Sequence, residues 1–597
     1  MAAPSPTDLQ DATLRTTILV NGSAIKDTYP LVSIQIRHEL NRISWAEVVF
    51  IDGDITNSDF PISDSDDLIP GNPISISAGY GDDAESTIFS GVIVKQALEI
   101  NENGDYHLVV TAKHKAVSMT FNRTEAEFAS KADSDILTAI IGNYSLSSSV
   151  SSTSYQQEAM FQKLATDWDF ILARAEFLGF VVALDGDNDI SIAAPEVSGT
   201  AVLNVTFGQS IIAFRAELNA ERQLPGVTIN SWDIKSLAQA SSSGTEPSVN
   251  SQGNLSGKSL STKLSQTALN ISSGTPMDKA ESKLWADAFF LRMRLAALRG
   301  EVTFTGSALA KTGKLLELAG VGERYNGDAY ISAVSHTLED GRWETTVKFG
   351  LEDKKVAERA DVSYPPAFGT LPAIQGLQVA TVKKLTEDPA SAYRIQLNIP
   401  SVSTGTGVWA RMANFYATNN AGSVFLPEIG DEVVIGYLES DPRYPVILGS
   451  LYSSTNVNPN PAADGNNTKA LTTRSQLKIT FDDDKKVITI TTPGNNTITL
   501  SDDAKSITLV DQNSNKVEMT SSGINIQSAK DITLKATGNI NLNATQKVSV
   551  TATQDVEITG MNVKATANVG FTAQGSATAE VSASGQTTIK GAMVMIN

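Results

Sequence analysis

The stretch that decides the fold reads Gly523-Ile-Asn-Ile-Gln-Ser-Ala-Lys530, Asp531-Ile-Thr-Leu-Lys-Ala-Thr-Gly538, Asn539-Ile-Asn-Leu-Asn-Ala-Thr-Gln546, Lys547-Val-Ser-Val-Thr-Ala-Thr-Gln554 and Asp555-Val-Glu-Ile-Thr-Gly-Met-Asn562. Each octad sets two aliphatic residues one position apart: Ile524/Ile526, Ile532/Leu534, Ile540/Leu542, Val548/Val550 and Val556/Ile558. After Asn562 the phase slips by one residue and continues as Val563/Ala565, Phe571/Ala573, Ala579/Val581 and Thr587/Ile589. Upstream, Ile488/Ile490, Ile498/Leu500, Ile507/Leu509 and Val517/Met519 repeat with looser steps. Side chains of a strand alternate between its faces, so each pair points one way and the pairs stack into a stripe.

Two apolar residues per unit cannot close a core within one chain, since a single-chain β-helix needs several strands in each turn. Three identical chains can each supply one side of a triangular prism, so that their stripes meet on its axis. The ten residues Ile524, Ile526, Ile532, Leu534, Ile540, Leu542, Val548, Val550, Val556 and Ile558 are therefore expected to form a trimer core. Beyond Phe481 the chain has one further aromatic, Phe571, and one proline, Pro493, a composition that builds no ordinary globular core.

Working outward, the chain of 597 residues and 63.4 kDa exceeds what one core organises, and its 41% hydrophobic and 19% charged residues suit ordered globular units. A net charge of −20 repels phosphate backbones and anionic headgroups, so nucleic-acid binding and a polybasic membrane anchor are not expected. The absence of cysteine removes disulfides, thiol catalysis and Cys-ligated zinc. The start, Met1-Ala-Ala-Pro-Ser-Pro-Thr7, has no basic segment leading into an apolar run, which predicts cytoplasmic synthesis without a signal peptide.

From residue 15 to 235 short alternating runs such as Leu31–Ile36 and Glu47–Ile51 read as strands. Two helices are predicted among them, Asp133 to Tyr144 and Gln156 to Leu178, the second with Met160, Leu164, Trp168, Ile171, Ala175 and Leu178 on one face. Residues 237–277 are Ser-, Gly- and Thr-rich and read as a mobile insertion. A third helix, Asp278 to Leu298 and stopped by Gly300, precedes further strands up to a Pro-marked joint at Tyr364–Gly369. The expected organisation is mainly β with a few helices: hub-type barrel domains over 1–365, an OB-type barrel over 366–455, a linker over 456–475 and a triple-stranded β-helix over 476–597.

The segments Val408-Trp-Ala-Arg-Met412, Phe425-Leu-Pro-Glu-Ile-Gly-Asp-Glu-Val-Val-Ile-Gly-Tyr-Leu438 and Asp441-Pro-Arg-Tyr-Pro-Val-Ile-Leu-Gly-Ser-Leu-Tyr452 closely resemble the OB signature of VgrG-type spike proteins of type VI secretion and of extracellular phage-tail-like injection systems. Weaker matches are Thr166–Glu176 and Val334–Thr346, which resemble hub-domain segments. These proteins look like a fusion of phage baseplate hub and cell-puncturing spike. The resemblance implies a homotrimer that caps a hexameric tube protein at its N-terminal face, sits among baseplate proteins, and seats a PAAR-repeat tip protein through Met593, Val594, Met595, Ile596 and Asn597. It also implies release on contraction, contact with the target membrane by puncture, and room for effector cargo. The reading that competes with it is a trimeric phage-tail adhesin or glycan-binding fibre.

No enzymatic site is expected and no cofactor or metal. The four histidines, His38, His107, His114 and His336, are far apart and fall mostly in strand-like runs. Gly253-Asn-Leu-Ser-Gly-Lys-Ser259 is one residue short of a phosphate loop. Asp185-Gly-Asp-Asn-Asp189 lacks the downstream glutamate of an EF-hand and reads as a hairpin turn.

Overall fold

The computed structural model describes residues 3–6, 13–81, 84–102, 104–186, 189–233, 236–273, 277–352, 354–355, 358–359, 366–401 and 406–596. They fall into two units, Met1–Leu451 and Tyr452–Asn597.

The first unit is built around one large sheet. Its strands run in the order Ile211–Leu218, Leu298–Thr305, Arg342–Phe349, Gly327–Glu339, Leu31–Glu39, Trp45–Ile51, Tyr106–Lys113, Ser86–Ile100, Pro73–Tyr80 and Leu14–Val20. The pairing of Leu31–Glu39 with Gly327–Glu339, in register Val334↔His38 and His336↔Ile36, joins segments far apart in sequence. Alternation dictates what each strand buries: Ile34, Ile36, Val48, Phe50, Leu108 and Val110 turn inward and are almost wholly covered. Leu203, Val302, Phe304, Leu316, Ile331 and Phe349 make a second core on the later strands.

Three sequence expectations change here. Gln156–Thr166 is a strand paired with Arg123–Ala132, and the helix occupies Asp167–Phe177 alone. The cap that starts the helix was passed over in the sequence: Thr166 Oγ1 accepts from the Asp169 N–H at 3.0 Å and donates to the Asp169 carboxylate at 2.6 Å. The stretch 237–277, read as a mobile insertion, contains the strands Ala238–Ser243 and Leu269–Ser272, both paired with Val227–Asp233, and the helix Gly257–Lys263, so the polar composition of its described residues accompanies small regular elements; residues 274–276 lie outside the described residues. The third helix spans Lys279–Leu295, capped by Asp278, whose carboxylate accepts from the Glu281 N–H at 2.8 Å. Gly300 does not stop it but lies inside the next strand, where a Cβ would stand 2.3 Å from the Arg215 carbonyl oxygen and 2.5 Å from the Phe349 ring.

The helices Asp133–Gly142 and Asp167–Phe177 close a separate core through Leu137, Ile141, Ile171 and Val182, with the Arg174 guanidinium forked onto the buried Asp133 carboxylate at 2.7 and 3.0 Å. Five strands, Gln378–Lys384, Ile395–Asn398, Val408–Met412, Pro445–Ser450 and Glu432–Tyr437, form a closed barrel. Ile395, Leu397, Ala410, Val433, Ile435 and Ile447 fill it. The expected boundary at Tyr364–Gly369 lies partly outside the described residues; Pro366–Gly369 is a short 3-10 turn.

The second unit has two parts. Seven strands from Thr468–Thr472 to Gly523–Gln527 form an antiparallel meander in sequence order, so the end of the stretch read as a linker is already sheet. From Ser528 to Ile596 no strand pairing occurs among the described residues.

Candidate functional site

The meander carries the loosely spaced aliphatic pairs, and its topology explains their spacing. Strands of five residues alternate with turns at Asp482–Lys486, Thr492–Asn496, Asp502–Lys505 and Asp511–Asn515. Asp and Asn side chains shape these turns: Asp482 accepts from the Asp484 and Lys485 N–H groups, and Asp511 accepts from Asn513 and Asn515. Those hydrogen bonds, led by the Asn515 side chain, hold the Asp511 carboxyl below its ordinary range. Lys486, Asn495, Lys505 and Ser514 take the left-handed backbone that the reversals require. Turn length, and not the octad rule, therefore sets the step from one pair to the next in this part.

Register then lines the pairs up. Phe481, Ile488, Leu500, Ile507, Met519 and Ile524 are successive cross-strand partners, and so are Ile479, Ile490, Ile498, Leu509, Val517 and Ile526. Two unbroken apolar rows thus run side by side along one face, and most of their side chains stay about 40% exposed. The groove beside the second row is lined by Ile490, Ile498, Leu509, Val517 and Ile526 together with Ile532, the first aliphatic of the second octad.

In the octads the backbone bends at residues 529, 537, 545, 553 and 561, and then at 568, 576, 584 and 592. The interval of eight, broken once by a seven, reproduces in the backbone the periodicity and the slip of the sequence pattern. The aliphatic residues read as a trimer core are open here: Ile532 and Ile540 are 54% and 53% exposed, Val550 and Ile558 72% and 73%. Every described residue after Ser528 is exposed. An extended chain with neither covered apolar stripe nor ladder hydrogen bonds lacks both things that hold a strand in place. Met593, Val594, Met595 and Ile596 are exposed at the end of this stretch, and Asn597 lies outside the described residues.

A second apolar surface, on the barrel, was not singled out from the sequence. Phe415 is 99% exposed, and Tyr416, Val424, Phe425, Leu426 and Ile429 around the hairpin Ala417–Gly422 are exposed as well. Their signal was present, in that Phe425–Leu426 precedes the strand Glu432–Tyr437 and does not alternate with it, but aromatic residues in a β-domain read by default as core. The turns of the barrel follow the sequence: Gly430 adopts φ +93° and its N–H reaches the Val382 carbonyl at 2.8 Å, while Asp441 accepts a fork from Arg443 that holds its carboxyl below the usual range.

Three of the four histidines are held by hydrogen bonds in buried surroundings. His38 bonds Ser44 and the Ile88 carbonyl, His336 bonds Thr345, and the His114 ring accepts from the Ala116 N–H. Burial pushes His114 down to about 4 and His336 to about 3. Asp185 is bonded by Thr312, and Asp189 by Ser147, at the ends of the antiparallel strands Val181–Ala183 and Ile190–Ala193; Asp187 and Asn188 lie outside the described residues. Among the described residues no three acidic or histidine side chains converge as a metal site.

Residues 378–452 match the type VI secretion system/phage-baseplate injector OB domain, residues 486–554 match the phage baseplate V C-terminal trimerisation domain, and residues 10–340, more than half of the chain, match the Alg8 N-terminal domain. The chain belongs to the VgrG-type spike proteins and carries an Alg8 N-terminal domain. Among curated relatives, the type VI secretion system spike protein VgrG1b of Pseudomonas aeruginosa is 26% identical over 181 residues, covering 28% of this chain and 24% of that protein. VgrG5 of the same organism is 30% identical over 100 residues, covering 15% and 13%. The chain thus spans about a quarter or less of the length of these VgrG relatives. Distant likenesses are seen to the 43 kDa tail protein of prophage MuSo2 from Shewanella oneidensis (TM-score 0.42, 11% identity, 57% of this chain and 97% of that one) and to the E. coli c3393 component of the type VI secretion system (TM-score 0.37, 13% identity, 73% and 99%).

Proposed function

We propose that the chain is one of three copies of the central spike of a contractile injection system, that it caps the inner tube, and that it punctures the envelope of a target cell. The observation that carries this reading is the pair of aliphatic rows that continues into octads with no cover and no hydrogen-bonding partner in a single chain. Two further copies supply both. Burying an aliphatic side chain is worth roughly 1.5–3 kcal/mol, so the octad residues together contribute on the order of 10 kcal/mol or more per chain once the three stripes meet. In the meander the chain keeps its own strand pairing and needs partners to cover one face. In the octads partners must complete the strands too, and with every strand paired the rod has no free edge.

In this reading the spike acts by stiffness and shape and not by catalysis. The hub part contacts a hexameric tube protein and the baseplate, Met593 to Ile596 seat a tip protein, and cargo rides on the assembly. Made in the cytoplasm, the trimer joins the particle and leaves it on contraction. Light scattering on the purified full chain tests the central point: a mass near three times 63.4 kDa is expected. A one-copy mass at micromolar concentration would overturn it.

A further inference from the structure

The first unit contains a cleft of about 300 Å³ on the large sheet, lined by the strands Leu31–Glu39, Ile211–Leu218, Leu298–Thr305, Gly327–Glu339 and Arg342–Phe349, by residues following the first and last of these, and by Arg292 of the helix Lys279–Leu295. Eight basic and four acidic side chains line it, in a chain whose net charge is −20. Two of the acids are already engaged. Glu39 accepts from Arg37 and Arg42, each at 2.7 Å, and Glu217 accepts from Arg299 at 2.8 Å. Arg215 and Lys348 have no carboxylate within ion-pair distance among the described residues, although both are cross-strand partners of Glu301.

The arginines that are paired use only one edge of the guanidinium. The Nε atoms of Arg37 and Arg299 are buried and have no hydrogen-bond acceptor. A buried donor without an acceptor costs about 1–3 kcal/mol, and more when charged. Two such donors in one small cleft, beside two unpaired cations, describe a site that lacks an acceptor carrying negative charge. Alternating charges on an exposed sheet face account for Arg215 and Lys348 but not for the two orphaned Nε groups, because a solvated ladder leaves water as acceptor.

We propose that this cleft binds an anion presenting two or more carboxylate or phosphate groups, held by the guanidinium groups of Arg37 and Arg299, whose Nε donors lack an acceptor, and by the charges of Arg215 and Lys348. The chemistry has two sources, a free small anion or an acidic segment of a neighbouring chain. An aspartate-dense segment of this chain, Asp52–Asp67, with six aspartates in sixteen residues, stands for the second source in the test.

Isothermal titration calorimetry on the full chain, at matched ionic strength, would use citrate, inorganic phosphate and a peptide spanning Asp52–Asp67. One-to-one saturable binding of at least one probe is expected, weakening as sodium chloride rises. In the double variant Arg215→Gln/Lys348→Gln, whose side chains are exposed, affinity is expected to fall at least about tenfold with an unchanged melting midpoint. Binding by citrate or phosphate alone assigns the site to a free anion. Peptide binding displaced by citrate assigns it to an acidic segment. No saturable heat with any of the three, or equal affinity in the variant, overturns the proposal; the chain's association state is read separately and does not enter the outcome.

Discussion

The barrel Gln378–Ser450 and the repeat after Thr468 are both β-structure made of short strands, yet the first completes itself and the second does not. In the barrel five strands close on one another, and Leu397, Val433, Ile435 and Ile447 are fully buried. In the second unit no described residue is buried at all. The difference lies in how many residues per strand can point inward to a shared interior. A closed barrel brings five strands to one axis within a chain, whereas an octad brings one strand and two aliphatics. Local patterning can thus be identical in the two regions while the number of chains needed to satisfy it differs.

The sharpest way to break that comparison is to remove the second unit's sheet and octads by ending the chain at Asn467. Light scattering is expected to drop from three copies to one, while the barrel and the large sheet keep their circular dichroism. A smaller but still decisive effect comes from Ile540→Asp/Leu542→Asp. Buried on the axis, carboxylates from three chains repel and lack acceptors, so the rod's melting step is expected to shift down by more than 10 °C or vanish at roughly 3 kcal/mol or more per chain. Within the first unit, Leu397→Ala leaves a cavity in the barrel and is expected to cost about 2–5 kcal/mol in denaturant unfolding, with the association state unchanged.

Acid separates the two regions further, because all four histidines lie in the first. His114 and His336 titrate at about 4 and about 3 when folded, below the 6.5 of an unconstrained imidazole, because burial opposes their charge. The unfolded chain therefore binds protons first as pH falls. Their contribution is complete above pH 6.5 and declines from there, through about pH 4 for His114 and about pH 3 for His336, by an amount on the order of a few kcal/mol. Thermal unfolding at pH 7 and pH 4.5 is expected to lower the midpoint of the first unit more than that of the second. His336→Gln narrows the gap. The smallest effect is expected for Asn541→Lys, which lies between the axial pair and on the opposite side of the strand; a melting shift within 2 °C would place that side chain on the outer surface, and a shift as large as that of the aspartate variant would reverse the assignment.

Much of this was legible in the sequence, for reasons tied to particular residues. The octad period was readable because aliphatic pairs at fixed spacing stand out in a stretch nearly free of aromatics and proline, and the backbone bends follow the same period. The barrel was readable from Pro427, Gly430, Pro442 and Pro445, which punctuate its strands. The strand Gln156–Thr166 was not, because Met160 and Leu164 sit at helical spacing and Glu, Ala, Gln, Lys and Leu favour helix. Pairing with Arg123–Ala132 overrides that preference, with a register shift between Gln162 and Ala165 and a left-handed Leu164. The meander was hidden by its own regularity: pairs separated by variable turns looked like a loosened octad repeat, and the cross-strand register that joins them is a property of the fold and not of any one segment. The exposed Phe415 and Phe425 were missed because hydrophobicity is silent about which chain will cover a residue.

In the proposed trimer the single seven-residue interval between the bends at 561 and 568 has a consequence for assembly. Three chains built from a uniform octad could dock one unit out of step and still bury nearly the same stripe, leaving ragged ends and few penalties. With one short unit per chain, a misaligned copy sets its seven against its neighbours' eights, and between the two slips every side chain faces the wrong way. The irregularity thus works as an alignment notch, admitting one register out of the several that the repeat by itself would tolerate.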